Sequence, residues 1–155
     1  MADHVLEARL WLGRPRPEVF AFFADPANLA RLTPDAFRVH LLTRVPVMTA
    51  GVVLDYRLRW YGVPIRWRAF VREFDPPYRF LDVQLRGPYA RWEHRHRFLE
   101  EDGGTVVEDR VVYRLPLGIV GRAVHAAVVG RQLRAVWNYR TRQLAAMLGP
   151  VRPAG

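Results

Sequence analysis

From Arg91 to Phe98 the chain alternates two chemistries with a period of two: Trp92, His94, His96 and Phe98 against Arg91, Glu93, Arg95 and Arg97. Successive side chains of a strand point to opposite faces, so the charged set faces solvent and the aromatic and imidazole set faces inward. The same alternation marks other segments. Val52, Leu54, Tyr56, Leu58 and Trp60 share a face, as do Ile65, Trp67, Ala69 and Val71. Val107, Asp109, Val111, Tyr113 and Leu115 share another. Strands are also predicted over His4 to Leu12, Ala36 to Thr43 and Arg79 to Arg86.

Two stretches break the pattern. Pro15-Arg16-Pro17-Glu18 opens a short apolar helix through Phe23, because proline suits a first helical turn and Glu18 suits the positive end of the helix dipole. Asp25-Pro26 stops it, and Ala27 to Leu32 predicts a second short helix. Beyond Pro116 the apolar spacing turns helical, from Val120 through Leu133, Val136 and Trp137 to Leu148, ending at Gly149-Pro150, with a bend expected at Gly130. The order is strand, two short helices, six strands, long helix. Tightly connected strands with one apolar face each predict an antiparallel sheet covered on one side, and only the terminal helix is long enough to cover it. The fold class expected is α+β, a curved seven-stranded antiparallel sheet gripping that helix, as one domain over 1–150 with a short tail at 151–155.

Turn lengths set the pairing. A four-residue connection from Glu101 to Gly104 places Phe98 opposite Val107, His96 opposite Asp109, His94 opposite Val111 and Trp92 opposite Tyr113. An inward His then meets an inward Asp, the partner a buried carboxylate needs. A four-residue turn over Tyr61 to Pro64 pairs Trp60 with Ile65, Leu58 with Trp67 and Tyr56 with Ala69. Arg79 to Arg86 is ambiguous: apolar parity turns Leu81, Val83 and Leu85 inward, but a four-residue turn at Asp75 to Tyr78 pairs Val71 with Asp82. If parity reverses, Asp82 and Gln84 enter the interior.

Composition narrows the classes. With no cysteine, disulfides and thiolate metal sites are excluded. No secretory leader or spanning apolar run is evident, so a cytoplasmic location is the expectation. The net charge of +9 comes from 24 basic residues, all arginine. The absence of lysine resembles the bias of a GC-rich genome, many of the arginines stand singly at outward strand positions, and nucleic acid is not the expected partner.

The helix-opening segment Pro17-Glu18-Val19-Phe20-Ala21-Phe22-Phe23-Ala24-Asp25-Pro26-Ala27-Asn28-Leu29, the turn Asp75-Pro76-Pro77, and Gly87-Pro88 leading into Trp92-x-His94-x-His96-x-Phe98 resemble the START-like, SRPBCC superfamily. Within it they resemble a bacterial polyketide cyclase/dehydrase-like subgroup. The resemblance spans essentially the whole chain. It implies the helix-grip fold and an apolar cavity between sheet and helix for a hydrophobic small molecule, be it lipid, polyketide, isoprenoid or aromatic. Fold alone does not give function.

The candidate ligand-binding set is Tyr56, Trp60, Trp67, Gln84, Trp92, His94, His96, Asp109, Tyr113 and Trp137. His94, as the freer histidine, is expected to orient a polar end of the ligand. Val136 and Arg140 add to the wall. The bland alternative is a core in which His96 and Asp109 merely satisfy each other. A second alternative is a cyclase, dehydrase or isomerase using His96 and Asp109 as a general-base dyad. His94, His96 and Asp109 offer three metal donors without a fourth, and neither a metal nor another cofactor is expected. Transient contact with a membrane surface remains open, as does oligomeric state.

Overall fold

The structure, a computed structural model, describes residues 3–44 and 47–155. Strand β1 (His4–Leu12) is followed by helices α1 (Arg16–Ala24) and α2 (Asn28–Arg31), a 3-10 turn at Asp35–Phe37 and the short strand β2 (His40–Leu41). Then come β3 (Val53–Trp60), β4 (Val63–Asp75), β5 (Arg79–Arg86), β6 (Arg91–Glu101) and β7 (Gly104–Arg114). Helix α3 (Gly118–Val124), a π-helical turn (His125–Val129) and helix α4 (Gly130–Leu148) run on without interruption, and β8 (Val151–Pro153) closes the chain.

The sheet has eight strands in the order β2-β3-β4-β5-β6-β7-β1-β8, and each paired ladder is antiparallel. The helix-grip expectation holds with one strand more than the seven predicted. The extra strand comes from the expected tail, which pairs with β1 from Leu10↔Pro153 to Leu12↔Val151. The predicted strand over Ala36 to Thr43 shrinks to two residues. The 3-10 turn after Pro34 and the left-handed Arg38, at φ 44, break the extended run before it can pair.

Register follows from the turns. Asp102 and Gly103 both take positive φ, 50 and 72, the geometry of a tight type I′ hairpin. The β6/β7 pairing is the one expected, with His96↔Asp109, His94↔Val111, Trp92↔Tyr113 and Phe98↔Val107. Tyr61 and Gly62, at φ 50 and 77, form the same kind of turn. The four-residue loop expected there is therefore a two-residue one, and Trp60 pairs with Val63, Leu58 with Ile65 and Tyr56 with Trp67. The shift is two residues, so every side chain keeps its face.

Strand β5 resolves its ambiguity against apolar parity. Phe80 pairs with His96 and Asp82 with His94, so Phe80, Asp82 and Gln84 share the inner face. Val71 does pair with Asp82, and register shifts lie between Val71 and Glu73 and between Arg68 and Ala69. Bulges at Arg72 and Leu85 thus absorb the conflict between the two turns. Leu81 and Val83 are buried all the same, on the outer face. Leu81 lies between Glu73 and Arg95, whose ion pair at 3.1 Å closes over it. Long charged side chains cover apolar surface with their stems while their heads stay in water.

Helix α4 lays Leu133, Arg140, Leu144 and Leu148 against the concave face. One end of the interior is a closed core in which Phe20 of α1 meets Phe74, Phe80 and Phe98 edge-on at 5.5, 5.7 and 5.1 Å. The other end gathers Tyr89, Trp60, Trp67 and Trp92 with Val129 and Leu133. Between the two the interior is open.

Candidate functional site

A cavity of about 220 Å³ occupies that gap. Its wall is largely aromatic and aliphatic, with Tyr56, Leu58, Trp60, Trp67 and Ala69 from β3 and β4, Tyr89 and Trp92 from the β5/β6 region, and Leu133, Val136 and Trp137 from α4. The polar floor is made by Asp82, His94 and His96 from adjacent strands, with Arg140 from the helix.

The floor is one connected network around Asp109. His94 Nε2 is 2.8 Å from Asp109 Oδ1 and hydrogen-bonded to it. His96 Nδ1 lies 3.0 Å from the same oxygen but off the hydrogen-bonding direction. The Nε2 of His96 reaches Asp82 Oδ2 at 3.3 Å. The Arg140 guanidinium approaches Asp109 from the helix side at 3.9 Å, an ion pair too long for a hydrogen bond. The two imidazoles stand 3.8 Å apart, and His96 stacks on Phe80 at 4.1 Å. His94, His96, Asp109 and Arg140 are each at least nine-tenths buried, so their charges must be met inside the protein.

Environment sets the two histidines apart. Burial, then the neighbouring His96, pushes the His94 pKa below the ordinary imidazole value, and its bond to Asp109 does not compensate. Burial acts on His96 in the same direction, but it is outweighed by Asp109 and Asp82, and the His96 pKa is raised. For Asp109 burial alone would favour the neutral acid. The Arg140 charge, the bond from His94 and the close approach of His96 reverse this, holding the carboxyl well below its usual range. These directions favour an ionised Asp109 and a neutral His94, and give any proton taken up by the histidine pair to His96 before His94.

Seven of the ten candidate residues line the cavity: Tyr56, Trp60, Trp67, Trp92, His94, His96 and Trp137. Three do not. Asp109 sits behind the histidines. Gln84 faces inward but is spent on the loop: its Nε2 donates to the Tyr89 carbonyl at 2.7 Å, and the Tyr89 amide donates to its Oε1 at 3.2 Å. Gly87 is required beneath it, since a Cβ there would run into the Gln84 side chain. Tyr113 turns to His125, its hydroxyl 2.6 Å from Nε2, in the π-helical turn that precedes Gly130.

The expectation that His94 is the freer histidine is also corrected. It holds the shorter bond to Asp109, because that carboxylate leans diagonally across the ladder toward it. Tyr89, in the connection between β5 and β6, is absent from the candidate set, yet it is buried and packs on Trp60, Trp67 and Trp92. Sequence reasoning also left Asp82 conditional and did not connect Arg140 to Asp109. The helical spacing of Arg140, three residues beyond Trp137, was the available signal.

Asp82, His94 and His96 present ligand atoms within 4.8 Å of one another, the donors a cation would use. Those atoms are already engaged with one another and with Asp109: His94 is hydrogen-bonded to Asp109, His96 to Asp82, and Arg140 faces Asp109 from the helix.

A family model described as polyketide cyclase / dehydrase and lipid transport matches residues 12–136. The chain belongs to that family. Its fold is the START-like, SRPBCC helix-grip fold. A protein of Chromobacterium violaceum superposes with a TM-score of 0.73 at 17% identity, covering 94% of this chain and 98% of that one. A Thermus thermophilus protein gives 0.68 at 21% identity, over 93% and 99%. The di-domain ARO/CYC StfQ of the steffimycin biosynthetic pathway gives 0.69 at 16% identity, over 94% of this chain and 50% of that one. No curated protein matches the sequence. Family membership supports hydrophobic ligand binding or cyclase-type activity in general terms.

Proposed function

We propose that the protein binds and carries a compact hydrophobic molecule, aromatic or isoprenoid in character, whose neutral hydroxyl or carbonyl end rests on Asp82, His94 and His96. The observation that carries this reading is the contrast within one cavity: apolar and aromatic walls around a single polar floor. Pockets for small molecules have this composition, with a few placed polar groups fixing orientation. Two carboxyl groups, Asp82 and Asp109, stand at the floor and Arg140 is engaged with Asp109, which disfavours a ligand bringing a carboxylate or phosphate. Asp82 is a ready acceptor for a hydroxyl, and an imidazole N–H of His96 a donor for a carbonyl. At about 220 Å³ the space falls below the ~300–1,000 Å³ common for drug-sized ligands, so the cargo is compact and not a two-chain lipid.

Native mass spectrometry of the purified protein tests this, backed by thermal shifts with matched aromatic alcohols, ketones and carboxylates. Retention of a lipophile, or shifts with the alcohol and ketone series, is the expected outcome. Preference for the carboxylates would reject the neutral-end reading. Val136→Phe, which fills the cavity from the helix, should remove the shifts while leaving the fold intact.

A second reading is favoured by the opposed pKa shifts of adjacent histidines. Pairs of groups pushed apart by their surroundings are how sites divide acid and base roles. Here the neutral His94 would take a proton next to a carbonyl while the protonated His96 gives one to a departing hydroxyl, the requirements of a dehydration. The assignment differs from a simple His96 base. His96→Gln should then abolish turnover of a β-hydroxyketone while binding persists, and equal loss of both would reject catalysis.

A further inference from the structure

The segment from Leu117 to Val128 is apolar on the wrong side for a soluble helix. Gly121 and Val129 are buried against the body, with His125 half-buried between them. The opposite side should be polar, yet Leu117 is 76% exposed, Ile119 75% and Val120 60%, with Val124 and Val128 also exposed. Ala123, Ala126 and Ala127 fill the spaces between, and Arg122 is the sole charged residue of the segment. At 1.5 Å per residue this is a stripe of about 15 Å. Beside it, Tyr61 and Val63 at the tip of the β3/β4 hairpin are exposed as well. Trp60 below the tip belongs to the same apolar cluster as Val129 and Leu133 of the helix, so tip and segment lie at the same end of the interior. Exposed apolar side chains gathered at one end mark an interaction site.

Charge identifies the occupant. After Asp109 the chain contains no Asp or Glu to its end at Gly155, and each ionised side chain there is an arginine. Arg122 lies within the patch, and Arg131 and Arg134 follow it, all exposed. A helix with an apolar face and basic surroundings is the form that lies in an anionic bilayer interface. A twofold pairing of the patch would set Arg122 of two copies together with no carboxylate to receive them, which disfavours a dimer. The cavity reaches the same end, since Leu58 and Trp60 at the base of the tip and Gln132 and Leu133 of the helix line it.

We propose that the 117–128 segment and the β3/β4 hairpin tip dock on a bilayer containing anionic lipid, holding this end of the cavity at the membrane where a lipophile partitions. The docking goes beyond the ligand reading and does not depend on it. No helix of the described residues is long and apolar enough to cross a membrane, consistent with a surface-lying element.

The test is co-sedimentation of the full chain with vesicles of phosphatidylglycerol in phosphatidylcholine and with vesicles of phosphatidylcholine alone. Binding is expected to the first and to be at least about tenfold weaker to the second. The double variant Ile119→Asp/Val120→Asp changes only exposed side chains and should lower partitioning about tenfold or more. Arg122→Gln should lower it about fivefold, the worth of one arginine near an anionic surface. Val136→Phe, which blocks the cavity, should leave vesicle binding unchanged, so failure of the ligand reading and failure of docking are told apart. No binding to anionic vesicles, or binding that the double variant leaves intact, would overturn the proposal. So would a concentration-dependent dimer, seen by analytical ultracentrifugation, that the double variant dissolves while vesicle binding is absent.

Discussion

Replacing Asp109 by Asn keeps the shape of the side chain and removes the charge on which the polar floor depends. In the native protein that carboxylate accepts from His94 at 2.8 Å and faces Arg140 at 3.9 Å. At an effective dielectric of about 20, a unit pair at that separation is worth about 4 kcal/mol, and the charge-assisted bond adds roughly 1.5–3 kcal/mol. Against these stands the desolvation of a fully buried carboxylate, several kcal/mol that the variant no longer meets. What remains is a buried guanidinium without its counter-charge, a situation that typically costs about 3–5 kcal/mol. The amide still accepts one hydrogen bond, so Asp109→Asn is expected to lose about 3 kcal/mol. Urea unfolding at pH 7 measures this, and imidazole titration by NMR follows His96, whose pKa should fall with only Asp82 left to hold its proton. Adding Arg140→Met removes the orphaned cation, so the double variant should recover part of the loss, the signature of direct coupling. A loss under about 1 kcal/mol with His96 titrating as before would refute the network as described.

The two histidines also shape the pH dependence. His94 has a lowered folded pKa, so its contribution is complete above the unfolded value of about 6.5 and is lost as pH falls below it. His96 has a raised one, so its contribution is complete below about 6.5 and lost as pH rises through the folded value. Asp109 contributes above about 3.8 and fails below it. Thermal melts should trace a maximum near neutrality, and His94→Gln should flatten the limb between about 6.5 and 3.8 while sparing the alkaline one; an unchanged acid limb would exclude His94 as its source. Gly104→Ala would set a Cβ 2.7 Å from the Trp11 ring and against the Leu12 carbonyl. An overpacking loss of about 1–3 kcal/mol in urea is expected. Phe20→Ala empties the centre of the phenylalanine cluster and should cost about 3–5 kcal/mol, with stability rather than ligand shifts as the first casualty.

Much of this arrangement was legible in the sequence wherever a turn could be read without ambiguity. Asp102-Gly103 is a conventional hairpin signal, and the meeting of His96 with Asp109 followed from it directly. Tyr61-Gly62 makes the same turn with a tyrosine in a left-handed conformation, a choice that composition does not announce, and the register moved by two. Asp82 was hidden by the bulges of β4 and β5, because apolar Leu81 and Val83 mimic an inward face while being buried beneath ion pairs on the outer one. The role of Gln84 and the burial of Tyr89 were hidden for a related reason. A loop that folds back into the core is stabilised by its own hydrogen bonds, and these have no periodicity. The long helix was plain from its spacing, but the carboxylate that Arg140 would meet depended on docking angle, which no local pattern encodes.

The inward parity of β5 has a consequence for how such a protein can change over generations. Phe80 and Asp82 line the cavity, with Gln84 on the same inner face, because the connection from β5 to β6 has its present length and because Leu85 is accommodated as a bulge. One residue inserted or deleted there would exchange the whole set for Leu81, Val83 and Leu85. The floor would lose the Asp82 carboxylate while His94 and His96 of β6 stayed in place. Cavity polarity is thereby under the control of loop length, and kin with nearly the same wall could differ in the cargo they accept through a single codon gained or lost.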